Sequence, residues 1–181
     1  MRKLKIFIAM SLDGFIAKPD DDLSFLKAVE KEGEDYGYEA FTSGIDTLII
    51  GRKTYDYVVR EIGSQHYDNG SNDVYIITRK PKPRKGKTIF YSGDLKELVL
   101  KLKSESGKDI YCDGGAEIIH QLLVQDLVDE LIISIIPVLL GEGTRLFKKG
   151  RPEQTLKLQS IKSFETGLVQ VNYLRNRIKS L

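Results

Sequence analysis

The feature that most constrains this chain is a strand–glycine–helix pattern that occurs twice in its 181 residues. Residues 47–50 form a largely apolar run that meets Gly51 and a helical segment, and residues 109–112 lead likewise to Gly114 and Gly115. A helix N-terminus offers free backbone N–H groups and the positive end of a dipole, and glycine lets a phosphate approach that backbone closely. Two such junctions on one sheet predict a ligand with two well-separated phosphate groups, such as a dinucleotide.

Length and composition favour a single domain with a substantial core and exclude several classes of protein. The hydrophobic content of 41% and the charged content of 30% are typical of a globular protein. No apolar run approaches the roughly 20 residues that span a bilayer. The formal net charge of +2 is too small to indicate a nucleic-acid or membrane surface. The single cysteine excludes an internal disulfide, offers no metal-ligand set and favours a cytoplasmic location.

The predicted elements alternate between strand and helix and then change to strands alone. Strands are predicted at 2–10, 46–50, 73–78, 87–91, 109–112, 128–138, 155–164 and 167–176, helices at 23–32, 36–41, 52–60, 94–103 and 115–125, and loops at 11–22, 61–72 and 139–143. Alternation favours a parallel sheet, and a hairpin turning at Gly167 adds antiparallel strands. The sequence therefore predicts an α/β fold with a central, mixed, mostly parallel sheet of about eight strands, flanking helices and a C-terminal antiparallel hairpin.

Five short motifs follow one another along the chain. They are AMSLDGFIA at 9–17, GRKTY at 51–55, VYIITR at 74–79, DGGA at 113–116, and LVDEL at 127–131 with PVLLGEG at 137–143. In this order they resemble the dihydrofolate reductase-like superfamily, and within it the reductase domain of bifunctional riboflavin-biosynthesis (RibD) proteins and its stand-alone relatives. The resemblance covers nearly the whole chain. It implies one such domain over 1–181.

The resemblance also implies an activity and a cofactor site. The activity is NADPH-dependent hydride transfer to a small heterocyclic substrate, similar to 5-amino-6-(5-phosphoribosylamino)uracil reductase or dihydrofolate reductase. The nicotinamide is expected beside the first strand, the loop after it and the Gly-Gly turn, and the phosphates beside the GRKTY motif and the end of strand 73–78. The cofactor-binding residues implied in this way are Ala9, Ile16, Ala17, Gly51, Arg52, Lys53, Thr54, Thr78, Arg79, Asp113, Gly114, Gly115, Ala116 and Glu117.

The charged residues near these motifs also favour an anionic ligand. Cations at a helix N-terminus oppose the helix dipole, so Arg52 and Lys53 there indicate an anion, although a solvated first turn is the alternative. No acidic residue ends strand 73–78, where one could bind a free ribose 2′-hydroxyl. Arg79 instead could pair with the extra phosphate of NADPH. Six of the nine residues in 79–87 are basic, which could also be a solvated loop.

Asp22 is the predicted catalytic residue. The segment at 22–27 resembles the Asp-Leu-x-Trp-Phe-Lys stretch of bacterial dihydrofolate reductases, in which the aspartate binds the pterin and assists proton delivery. A carboxylate in an apolar cleft can take a raised pKa and serve in proton transfer. The alternative is that Asp22 caps the predicted helix 23–32, since Asp20 and Asp21 adjoin it and aspartate is a common N-cap.

The chain departs from the riboflavin-type pattern on the substrate side. Phe7 stands where those reductases carry lysine, and residues 61–67 lack their Asp-Asp-Pro loop. Because those residues contact the phosphoribosyl pyrimidine, the substrate is expected to differ. A non-catalytic NADP(H)-binding or sensing module, or a flavin or nucleotide binder, therefore remain as alternatives. As in the riboflavin-type relatives, the run 131–136 and the late strands are expected to take part in a homodimer interface.

Overall fold

The computed structural model describes residues 1–68 and 71–177. Its strands are β1 (Leu4–Ser11), β2 (Phe15–Ala17), β3 (Ile45–Gly51), β4 (Asp73–Ile77), β5 (Thr88–Tyr91), β6 (Asp109–Gly114), β7 (Glu130–Ile136), β8 (Thr144–Arg145), β9 (Leu156–Ser163) and β10 (Val169–Arg175). Its helices are α1 (Tyr38–Ser43), α2 (Arg52–Ile62), α3 (Leu95–Ser104) and α4 (Ala116–Val124), with 3-10 segments at Pro19–Asp21, Ser24–Val29 and Ser64–His66. The predicted loop 61–72 includes Asn69 and Gly70, which lie outside the described residues.

Eight strands form one sheet in the order β5-β4-β3-β6-β1-β7-β10-β9. Neighbouring strands are parallel except that β10 runs antiparallel to both β7 and β9. This arrangement confirms the predicted fold class. Strands β2 and β8 pair separately, so part of the predicted loop 11–22 is a short strand.

The two faces of the sheet are covered by different helices. Successive residues of a strand point to opposite faces, so Ile110 and Cys112 of β6 pack with α3 and α4, whereas Tyr111 packs with α1 and α2. Ile49 and Ile50 of β3 are divided in the same way and are fully buried. Burial on both faces explains why the inner strands are nearly continuous apolar runs.

The predicted helix over 23–32 is wrong, because Ser24–Val29 is a short 3-10 segment. Its N-terminus carries no side-chain cap, and Asp22 instead accepts hydrogen bonds from the backbone nitrogen of Ser24 at 2.7 Å and from its hydroxyl at 2.9 Å. Such local bonds compete with helical ones. Phe25 and Val29 of this segment are buried against Ile136 and Leu168.

The run 131–136 lies in β7, whose two edges are both paired within the chain, to β1 and to β10. The free edge on this side of the sheet is β9, in which Leu158 and Ile161 are 45% and 60% exposed. The dimer stays a prediction. Strand β7 could not pair with a second chain along either edge, because β1 and β10 occupy both. In the described ranges, no helix is long and apolar enough to cross a membrane.

A buried ion pair lies at the amino-terminal ends of β1 and β7. The Nζ atom of Lys103 is 2.5 Å from an Asp129 carboxylate oxygen and donates to the carbonyl oxygen of Leu127 at 2.6 Å. Asp129 also accepts from the backbone nitrogen of Leu4 at 2.7 Å and from Arg177 at 2.6 Å. Burial alone would raise the pKa of Asp129, but these hydrogen bonds outweigh burial and lower it.

Candidate active site

A cavity of about 1020 Å³ lies at the carboxyl ends of β1, β3, β4 and β6. In open α/β sheets, ligands bind outside the carboxyl ends of the strands. The fourteen residues that the family resemblance implies for cofactor binding all line this one cavity: Ala9, Ile16, Ala17, Gly51, Arg52, Lys53, Thr54, Thr78, Arg79, Asp113, Gly114, Gly115, Ala116 and Glu117.

The two strand–glycine–helix junctions touch each other at the floor of the cavity. A Cβ atom added to Gly51 would lie 3.4 Å from the backbone nitrogen of Gly115, and one added to Gly115 would lie 2.7 Å from the hydroxyl of Thr54. The Gly114–Gly115 peptide bond is cis. The expectation that the two junctions hold two well-separated phosphate groups is therefore wrong. Because β3 and β6 are neighbours, the junctions form one surface, which suits phosphates that are close together.

Helices α2 and α4 begin at this surface, and neither has a side-chain cap at its N-terminus. The first-turn N–H groups of both helices are therefore not bonded to a capping side chain and can meet an anion. Glycine at the N-cap positions, Gly51 and Gly115, lets the starts of the two helices approach each other closely.

Cationic side chains gather around this part of the cavity. Arg52 binds Asp56 in its own helix with its Nε 2.7 Å from a carboxylate oxygen, while Lys53 and Arg79 are exposed. Lys148, which also lines the cavity, donates to Glu117 at 2.6 Å. Lys148 could not be recognised from the sequence, because it lies in a segment without a motif, 31 residues from Glu117.

The loop after β1 is joined to the loop after β7 by Asp13. Its carboxylate accepts from the hydroxyl of Ser11 at 2.6 Å, and from the backbone nitrogens of Leu140 at 3.1 Å and Gly141 at 2.7 Å. These hydrogen bonds, led by the one from Ser11, lower the pKa of Asp13 to about 2. Beside them, Gly143 packs so closely that a Cβ atom there would overlap the carbonyl oxygen of Ala17. Asp13 and Gly143 therefore hold the strand that carries Ile16 and Ala17 against β8.

Replacing Asp13 by alanine should release the loop after β7. The amides of Leu140 and Gly141 lose their acceptor, so their hydrogen exchange at neutral pH should accelerate on the order of tenfold, measured by exchange mass spectrometry or NMR. In the wild type, the hydrogen bonds from the loop after β7 to the Asp13 carboxylate are complete above the unfolded pKa of aspartate. They are lost as the pH falls towards about 2. Glu142→Ala, an exposed change in the same loop, is the control. If it accelerated the exchange of the Leu140 and Gly141 amides equally, Asp13 would not be what holds the loop.

Seven of the lining residues, here called the substrate half, are apolar except for two carboxyl groups and the hydroxyl of Tyr57. They are Phe7, Asp21, Leu23, Leu26, Tyr57, Val58 and Asp113. The ring of Phe7 packs against Tyr38 and Phe41 at centroid distances of 5.7 Å and 4.8 Å, and the three rings form an aromatic cluster. None of these seven described residues is a cation.

Asp113 is the half-buried carboxyl group of the substrate half. One carboxylate oxygen accepts from the hydroxyl of Tyr67 at 2.6 Å, and the other accepts from the hydroxyl of Tyr111 at 2.7 Å. Burial raises the pKa of Asp113, although both hydrogen bonds and the charge of His66 act to lower it. Sequence reasoning assigned Asp113 to the cofactor turn and missed this cluster, because Tyr67 lies 46 residues away in a segment without a motif.

Asp22, the predicted catalytic residue, is not brought into the cavity. It is exposed, bonds to Ser24, and lies 3.6 Å from the Nζ atom of Lys18. The hydrogen bonds from Ser24, with the charge of Lys18, lower the pKa of Asp22. A carboxyl group that ionises this readily is a poor proton donor, and the residue that lines the cavity from this segment is Asp21.

The sheet order, the Gly-Gly turn at the end of β6 and the cavity at the strand ends define a dihydrofolate reductase-like protein. Dihydrofolate reductase from Enterococcus faecalis, complexed with NADP(H), shares the fold with a TM-score of 0.60 at 16% identity over 97% of each chain. The chain belongs to the RibD C-terminal domain family, whose model matches residues 2–170. The family resemblance predicted from the motifs is thereby confirmed.

Two more similar proteins cover almost the full length of the chain. YwjB of Bacillus subtilis is 36% identical over 175 residues, which are 96% of this chain and 98% of that protein. A putative riboflavin biosynthesis protein from Shewanella sp. PV-4 has a TM-score of 0.85 at 30% identity, covering 97% of this chain and 99% of that one.

Proposed function

We propose that this protein is an NADPH-dependent reductase that transfers a hydride to a small, uncharged heterocyclic substrate. The observation that carries the proposal is one cavity whose lining combines the contact between Gly51 and Gly115 and several cationic side chains with a set of apolar side chains. When bound, NADPH supplies the hydride, and the protein supplies position and electrostatics. The alternative of a non-catalytic NADP(H)-binding or sensing module rests on Phe7 and residues 61–67, where the chain departs from the riboflavin-type pattern. The position of Asp22 outside the cavity also favours it.

The part of the cavity lined by Gly51, Gly115 and Arg79, here called the cofactor half, suits the phosphates of NADPH. The uncapped N-termini of α2 and α4 meet at the contact between Gly51 and Gly115, where two adjoining phosphates can approach the backbone. Arg79 and Lys80 line the cavity after β4 and would pair with the 2′-phosphate. The Thr78 hydroxyl lies 3.1 Å from the backbone nitrogen of Lys80 and accepts its hydrogen bond, which holds that turn in place.

The substrate half selects against a phosphorylated substrate. A phosphate there would face Phe7 and Leu23 and would lie near two carboxyl groups, with no lysine or arginine among the seven described residues to neutralise it. A flat, uncharged ring would instead bury its faces against apolar side chains. We therefore assign to this protein a substrate without the ribose phosphate that the riboflavin-type resemblance implies.

NADPH at 100 times its Kd should stabilise the protein by about 2.7 kcal/mol, which is a rise in Tm of roughly 5–10 °C for a chain of this size. Arg79→Glu should weaken NADPH binding about 10–100-fold and change NADH binding little, because only NADPH carries the 2′-phosphate. Thermal shift titrations with both cofactors measure this.

The control is Arg84→Glu, which changes the same basic segment at an exposed residue outside the cavity lining. It should leave both affinities within about twofold, because screened surface charges contribute little. No stabilisation by millimolar NADPH would overturn the proposed function. Equal stabilisation by NADPH, NADH and FMN would favour a general nucleotide binder instead.

A further inference from the structure

Lys148 lines the cavity from a segment that carries none of the family motifs. We infer that Lys148 binds the nicotinamide-side phosphate of the cofactor, and that Glu117 positions the ammonium group of Lys148 for this contact. The inference rests on the proposed function and deepens it, since it adds a phosphate-binding side chain that the family resemblance does not imply.

The backbone that carries Lys148 is held in place by the residues just before it. Strand β8 ends at Arg145, and Leu146 follows with only 1% of its surface exposed. The backbone nitrogen of Leu146 donates to the carbonyl oxygen of Gly14 at 3.0 Å, and Phe147 packs against the same core cluster as Leu146. The Lys148 side chain therefore starts from a fixed position beside the cavity.

The ammonium group of Lys148 lies at the start of α4. Its Nζ atom is 2.6 Å from a carboxylate oxygen of Glu117, which belongs to the first turn of that helix and follows the N-cap residue Gly115 by two positions. No side chain caps this N-terminus, so its first-turn N–H groups can meet an anion. A phosphate at this helix start would therefore meet backbone donors and the Lys148 ammonium group together.

Glu117 would repel a phosphate unless a cation neutralised it. The hydrogen bond from Lys148, with a second one from Gln121 at 3.4 Å, lowers the pKa of Glu117, so the carboxylate is charged at neutral pH. An ammonium group has three N–H donors. Within residues 1–68 and 71–177, Glu117 is the only group that accepts a hydrogen bond from the Lys148 ammonium group. Lys148 can therefore neutralise Glu117 and still donate to a phosphate.

The order of the strands assigns Lys148 to the nicotinamide-side phosphate. Arg79 follows β4, whereas Lys148 contacts α4, which follows β6, and β3 separates these two strands in the sheet. Lys148 also follows β8, which pairs with the strand that carries Ile16 and Ala17, where the nicotinamide is expected. Arg79 and Lys148 therefore approach the cofactor from different sides, and the 2′-phosphate assigned to Arg79 is not the group that Lys148 binds.

The test compares NADPH with adenosine 2′,5′-bisphosphate, which lacks the nicotinamide-side phosphate, by calorimetric titration. Lys148→Met should weaken NADPH binding about tenfold, because a charge-assisted hydrogen bond is lost. It should leave binding of the bisphosphate within about twofold, and Lys148→Arg should keep most of the NADPH affinity. Lys149→Met, an exposed change outside the cavity lining, is the control and should leave both affinities within about twofold.

Glu117→Gln separates phosphate binding from mere neutralisation of the carboxylate. The amide oxygen can still accept from Lys148, so NADPH affinity should stay within about threefold of the wild type. Lys148→Met added to Glu117→Gln should again weaken NADPH binding about tenfold. If Lys148→Met has no effect in that background, Lys148 only neutralises Glu117, and the inference is overturned.

The remaining outcomes distinguish this inference from the proposed function. If Lys148→Met weakens NADPH and the bisphosphate equally, or leaves NADPH binding unchanged, the inference is overturned and the proposed function stands. If the wild type binds the bisphosphate but not NADPH, or binds neither ligand, the proposed function is overturned, and the inference falls with it.

Discussion

Asp129→Ala is expected to destabilise the protein by about 3–5 kcal/mol, because it leaves the buried ammonium group of Lys103 without its counter-ion. The side chain of Lys103 is 8% exposed and its Nζ atom lies 2.5 Å from Asp129. The same change removes the acceptor for the backbone nitrogen of Leu4 at the start of β1. Urea unfolding at neutral pH measures the loss as a lower midpoint.

Two further variants separate the buried charge from general damage. Glu165→Ala removes an ion pair with Lys31 of the same length, 2.5 Å, whose side chains are 86% and 46% exposed, and it should cost about 0–1 kcal/mol. Adding Lys103→Met to Asp129→Ala should restore much of the stability, since no buried charge then remains. Equal losses in Asp129→Ala and Glu165→Ala would contradict the expectation.

The same pair predicts a dependence of stability on pH. Because folding lowers the pKa of Asp129, its contribution is complete above the unfolded pKa of aspartate and is lost as the pH falls through the lower, folded value. The wild type should therefore lose stability in acid more steeply than Asp129→Ala does. The difference between the two midpoints, followed from neutral pH into acid, measures this.

Gly51→Val should weaken NADPH binding on the order of 100-fold while the protein still folds. The Cβ atom of valine would lie 3.1 Å from a side-chain carbon of Ile118 and 3.4 Å from the backbone nitrogen of Gly115, and valine adds two methyl groups to this tight contact. Separating the two junctions costs about 1–3 kcal/mol of stability and displaces the N-termini of α2 and α4 from each other. Displacement of binding groups by an ångström can cost on the order of 100-fold.

The control for Gly51→Val is Gly44→Val, at the end of α1. Gly44 also has a negative φ, and an added Cβ atom there would meet only ordinary contact, 3.5 Å from the carbonyl oxygen of Phe41. This variant should keep the NADPH affinity of the wild type within about threefold, because Gly44 does not line the cavity. Calorimetric titration of both variants with NADPH measures the two affinities. Equal affinities would refute the expectation that the contact between Gly51 and Gly115 forms the binding surface.

The parts of the molecule that could be predicted are those with a local signal. Strand–glycine–helix junctions are written in consecutive residues, so the sequence placed Gly51 and Gly115 at helix starts, where the structure has them. The alternation of strands and helices likewise predicted the parallel sheet, and the turn at Gly167 predicted the hairpin. The motifs brought by the family resemblance then collected fourteen residues that line a single cavity. Whether those residues bind NADPH stays a prediction.

The parts that could not be predicted depend on contacts between distant segments. No residue near Asp113 in the chain indicates that Tyr67 donates a hydrogen bond to it. Likewise, no residue near Asp13 indicates that the amides of Leu140 and Gly141 donate to its carboxylate. The contact between the two junctions could not be predicted, because the sequence does not show the order of strands in the sheet and β3 and β6 are neighbours only in the structure. At 23–32 the apolar spacing predicts a helix. The structure has a short 3-10 segment there, and Ser24 at its start donates hydrogen bonds to Asp22.

The place of β1 in the sheet also bears on how the protein is made. Leu4 pairs with Ile110 and Lys5 pairs with Glu130, so the first strand of this chain finds its neighbours only after most of the sequence has emerged from the ribosome. At about 5–20 residues per second, β1 waits unpaired for roughly 5–25 s, and contacts of such long separation fold slowly. The strand that brings Phe7 and Ala9 to the cavity is thus the one most exposed to misassembly during synthesis.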